Sequence, residues 1–91
     1  MEKTQYEYDE LTRQTFLDHQ LQLFPEIVAP DLEEAEYFLE DMFAVVCKNK
    51  KEVRQYFKEV GADISGMSEK ELLAQSEVFP LPDGRYLIVE G

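Results

Sequence analysis

Apolar positions recur along this chain with helical spacing in four stretches, then switch to strand-like runs near the end. Residues 4–24 predict a first helix. Leu17, Leu21 and Phe24 fall on one face, with Leu11 close to it, whereas Tyr6 and Tyr8 fit the spacing less well. Pro25 ends this helix, because the residue before a proline is driven out of the α region. The connector to Pro30 is expected to tuck Ile27 and Val28 against the core.

A second helix is predicted from Asp31 to about Cys47. Asp31 is placed to cap it, and Glu34 stands three residues on, as in a capping box. Leu32, Ala35, Phe38, Leu39, Met42, Phe43 and Val46 alternate by threes and fours and give it a broad apolar face. Asn49 is placed to cap a third helix whose stripe is Val53, Tyr56, Phe57 and Val60, with Gly61 at its C-terminal turn. The short link between these two helices predicts that they pack as neighbours. Ser68 and Glu71 form a capping-box pair opening a short fourth helix to about Gln75, and Met67 can staple onto Leu72.

The last pattern is a β-hairpin, residues 77–81 against 85–89, around Pro82-Asp83-Gly84. This turn pairs Leu81 with Arg85, Phe79 with Leu87 and Glu77 with Val89. Pro80 lacks an N–H and places its strand at a sheet edge. Tyr86, Leu87, Ile88 and Val89 make the second strand apolar on both faces. One face belongs on the helices. The other, carrying Tyr86, Ile88, Val78 and Pro80, is covered by the N-terminal helix or serves as an interaction surface.

The expected class is therefore α+β, about four helices followed by a C-terminal β-hairpin. The expected organisation is one small domain over residues 1–91. It divides into an N-terminal helix and connector (1–30), a helical core (31–75) and the hairpin (77–90). From 31 to 90 the element order, helix, helix, short helix, hairpin, resembles a winged-helix topology. In that comparison residues 68–75 stand as the recognition helix and 82–84 as the wing tip. A DNA reader carries bases there, and this helix offers Glu69, Glu71 and Lys70.

Charge sharpens the picture. The formal net charge is −11, with a balance of −10 over residues 1–47, +3 over 48–60 and −4 over 61–91. An acidic body repels phosphate backbones and anionic lipid, so DNA and membrane partners are not expected. Another protein, or a second copy, is the expected partner. Lys50, Arg54 and Lys58 form a basic stripe at i, i+4 and i+8. It is either a site for an anion or acidic partner, or the counter-charge to Glu36, Glu40 or Asp41 on the preceding helix.

The chemistry-bearing residues are few. Cys47 is the one cysteine, so no intrachain disulfide forms, and a reducing compartment is expected. The polar start of the chain lacks the apolar core of a signal peptide, and a cytoplasmic location is expected. His19 is the one histidine, and no His/Cys pair has zinc-site spacing. Glu33, Glu36, Glu40 and Asp41 are acids on a solvated face rather than two carboxyls in contrasting environments. Asp63-Ile64-Ser65-Gly66 lacks the repeated acids of a calcium loop. No catalytic, cofactor or metal residues are assigned. The expected function is a non-enzymatic protein-interaction module. The alternative is an acidic inhibitor or mimic, such as an immunity protein, antitoxin or nucleic-acid mimic, that occupies a basic site on a partner.

Overall fold

The computed structural model describes residues 8–90. Four helices and a three-stranded antiparallel sheet give an α+β fold. Helix α1 spans Glu10–His19 and runs into a 3-10 turn, Gln20–Gln22; α2 spans Leu32–Asp41 and β1 Val45–Cys47. Next come α3 at Lys50–Glu59, α4 at Glu69–Leu73, β2 at Val78–Pro80 and β3 at Tyr86–Ile88. The sheet order is β1-β3-β2.

Helix starts follow local chemistry. Asp9, Asp31, Asn49 and Ser68 each accept a hydrogen bond from the backbone N–H three residues on. At Ser68 the reciprocal bond from the Ser68 N–H to Glu71 completes the capping box. The cap at Asp9 sets the start of α1 at Glu10 rather than at residue 4; residues 4–7 lie outside those described. The fully buried residues of α1 are Thr12, Thr15 and Phe16; of the face expected inward, Leu11, Leu17 and Phe24 pack partly against the core and Leu21 is exposed. Phe16 stacks on Phe38 and also touches Phe24 and Phe79, with centroids 5.5–6.4 Å apart.

The connector also differs from expectation. Ile27 and Val28 are exposed, and Ala29 is the residue that tucks in. The buried amide of Gln20 holds this segment. Its nitrogen donates to the carbonyls of Leu17 and Ala29, and its oxygen accepts from the Val28 and Ala29 N–H groups.

Helix α2 stops at Asp41, well short of Cys47. Phe43 adopts a left-handed φ of 54°, and the Phe43 and Ala44 N–H groups return to Glu40 and Leu39. Those bonds are the Schellman closure of a helix. They release Val45-Val46-Cys47 into a strand, which β-branched residues favour. Val45 pairs with Ile88, Val46 with Leu87 and Cys47 with Tyr86. The hairpin has the expected register, Val78 with Ile88 and Phe79 with Leu87, and Gly84 takes the left-handed turn position at φ 95°.

The sheet has a helix layer on each side, and this overturns the expected pairing of α2 with α3. Phe79, Leu87, Val89 and Val46 face α1 and α2, whereas Val78, Ile88, Cys47 and Val45 face α3 and α4. Strand β1 separates α2 from α3 in the chain and sends them to opposite faces. No helix among the described residues is long and apolar enough to cross a membrane.

Candidate functional site

The two sheet edges end in different chemistry. Residues of an antiparallel strand alternate between bonding the neighbour on one side and the neighbour on the other. Leu81 N–H bonds the Arg85 carbonyl and Val89 N–H bonds the Glu77 carbonyl. The alternation then makes Phe79 and Leu87 a bonded pair and turns the backbone groups of Tyr86 and Ile88 toward β1. On β1, Val45 and Cys47 bond back to β3 in that register, and the N–H and C=O of Val46 point outward.

The outward positions beside Val46 are closed. The Ala44 carbonyl accepts from the Tyr8 hydroxyl, and the Lys48 N–H donates to Glu52 Oε1 at 2.8 Å. Among the described residues Val46 has no hydrogen-bond partner on that side. The far edge, on β2, offers no outward backbone N–H between Val78 and Pro80. Val78 donates its N–H to the Gln75 carbonyl and accepts from Gln22 Nε2, and Pro80 has no N–H to offer.

Along the open edge runs a groove of about 330 Å³ between β1 and α3. Val45, Val46 and Cys47 form one wall; Glu52, Gln55, Tyr56, Glu59 and Val60 form the other. Three consecutive strand residues line it, although successive side chains alternate faces, so the groove follows the backbone edge itself. The α3 stripe buries Val53 and Phe57 and leaves Tyr56 half-buried and Val60 exposed at the groove. Tyr56 donates its hydroxyl to Glu90 at 2.9 Å, and Gln55 donates to Glu59 at 3.2 Å. Among the described residues no ion pair involves Glu52 or Glu59. Burial, with a smaller contribution from the Glu52 charge, pushes the Cys47 thiol up to about 12, so it stays protonated and poorly nucleophilic.

Compared with known proteins, the chain matches no family model, no curated protein and no solved structure.

The sequence-derived candidates lie elsewhere. Val78 and Ile88 are each 1% exposed beneath α3 and α4; Tyr86 is half-buried, and Pro80 is exposed on β2. That hairpin face is therefore covered within the chain, by α3 and α4 and not by the N-terminal helix. In the basic stripe, Lys50 approaches Glu69 at 3.9 Å, Arg54 reaches the Met67 carbonyl at 3.5 Å and Lys58 is exposed. The stripe thus meets α4 and its leading loop rather than the acids of α2, of which Glu36 pairs with Arg13 at 3.6 Å. His19 is exposed at the end of α1, and Asp63 accepts from Ser65 in a tight turn. Among the described residues no group of three His, Cys, Asp or Glu side chains is placed to hold a metal. The groove is not legible in the apolar pattern, because Ala44 to Cys47 continues the spacing of α2 and predicts a last helical turn there. The β-branched pair Val45-Val46 was the available signal.

Proposed function

We propose that this chain is a protein-interaction module that takes an extended segment of its partner along the open edge of β1. One observation carries the reading: an outward-facing backbone donor and acceptor at Val46, without a partner among the described residues, lies beside a groove with an apolar wall. An added strand satisfies such an edge through main-chain bonds, and the groove beside it selects side chains. No catalytic step belongs to this function. A second reading, an acidic mimic that enters a basic site, draws on the balance of −10 over residues 1–47 and on the exposed Glu33, Glu40 and Asp41 of α2. The winged-helix element order does not lead to DNA here, since the five-residue α4 presents Glu69, Lys70 and Glu71.

The test is selection of random short peptides on the immobilised protein, followed by hydrogen exchange. Selected peptides should protect the Val46 amide and lose affinity about tenfold on Val46→Pro, the loss of a main-chain bond with poorer fit. Proline is tolerated at an outward-facing edge position, as Pro80 demonstrates on β2, and a thermal melt verifies folding. Val60→Arg, at an exposed groove position, narrows the groove without touching the strand. Peptides that bind both variants as well as the parent would overturn docking at this edge. Binding that vanishes at about 0.5 M salt without protecting Val46 would favour the mimic.

A further inference from the structure

We infer that the segment taken by β1 is basic, an extended strand whose side chains on the α3 side are lysine or arginine alternating with apolar residues. This rests on the docking reading above and specifies its ligand. In an added strand, alternate side chains fall on the α3 side of the sheet. There they meet Val45, Tyr56 and Val60 together with the carboxylates of Glu52 and Glu59. The two acids are held in place: Glu52 by the Lys48 N–H, Glu59 by the Gln55 amide. Each keeps charge to offer, because among the described residues neither has a cationic partner.

Lysine and arginine suit this lining from stem to tip. Their methylene stems lie on valine side chains while the charged heads reach the carboxylates. A glutamate at the same place would be repelled by both acids, and a threonine would leave them solvated. A second copy of this chain is a poorer occupant. It brings its own net charge of −11 to a chain of the same charge, and its own Glu52 and Glu59 to the same line of contact.

The experiment titrates the full-length, isotope-labelled chain with four synthetic peptides and follows backbone amide resonances. Three share valines at alternate positions and differ between them in arginine, threonine or glutamate. The fourth is the arginine peptide methylated at its central amide nitrogen. The arginine peptide should bind best, shift the Val46 amide most, and weaken about tenfold when methylated. Glu59→Gln, at an exposed position, should weaken the arginine peptide several-fold and leave the threonine peptide unchanged. If the threonine peptide binds at Val46 as tightly as the arginine peptide, strand docking stands and the basic preference is wrong. If no peptide shifts Val46, both readings fall. Equal binding of the methylated peptide, with shifts spread over α2, would mean diffuse charge attraction and overturn the inference. Shifts at Val46 that grow with protein concentration alone would make a second copy the occupant, which also overturns it.

Discussion

Phe43 is the residue whose conformation is hardest to explain from its own chemistry. Its left-handed φ of 54° is costly for a bulky side chain, and its ring is 75% exposed, so burial does not offset the cost. Phe43→Gly should therefore stabilise the fold by about 1 kcal/mol, raising Tm by about 4–8 °C in a differential scan. A lower Tm would show that the ring contributes packing which its exposure conceals. Gln20 presents the opposite case, a polar side chain 1% exposed and fully bonded. Gln20→Ala strands the N–H and C=O of buried Ala29. It should cost about 2–4 kcal/mol, measured by urea unfolding. A loss well under 1 kcal/mol would mean that water replaces the amide. Neither residue was legible in an apolar pattern. Gln20 is polar inside and Phe43 apolar outside, so each inverts the rule on which the pattern rests.

Among the elements, those with strong local signals match what their sequences predict. Four helices, the caps at Asp31, Asn49 and Ser68, and the hairpin register each follow from residues close in sequence. Strand β1 was missed because Ala44 to Cys47 continues the apolar spacing of α2, and only the left-handed turn at Phe43 breaks it. That single break has the largest consequence for the fold. With β1 in place the sheet has a helix layer on both faces, the hairpin loses its open face, and the candidate groove comes into existence. Ile88 tests this arrangement. It is 1% exposed, against Val45 and Val78 and under α3 and α4. Ile88→Asp places an unpaired carboxylate there and should abolish the cooperative melt. A folded variant that has merely lost a partner would restore the hairpin face as a docking surface.

For the whole molecule, charge sets the expected acid response and the expected behaviour toward DNA. Burial pushes the Asp9 carboxyl up, but hydrogen bonds from the Thr12 hydroxyl and N–H and from Arg85, with the Arg85 charge, outweigh it. Its net displacement is below the ordinary value. A depressed carboxyl contributes stability above its unfolded value, about 3.9, and that contribution is lost as pH falls through the folded value. Tm should drop in acid below about pH 4, and Asp9→Asn should flatten that part of the profile. Asparagine keeps the helix cap, so the comparison isolates the charge. An identical profile in the variant would remove Asp9 from the acid response. With a net charge of −11, the chain should leave labelled duplex DNA unshifted at about 10 μM protein and physiological salt. A shift that disappears with added salt would reopen the winged-helix comparison.

The inequality of the two sheet edges also limits how large an assembly can grow. Ordered β-sheet polymers need each unit to accept a neighbour on both sides. Among the described residues, Gln75 and Gln22 hold the Val78 N–H and carbonyl on one side, where Pro80 has no N–H, and Val46 presents both backbone groups on the other. Concentrated, a chain with such unequal edges is expected to stop at a pair rather than propagate a fibre, and light scattering across a concentration series checks this.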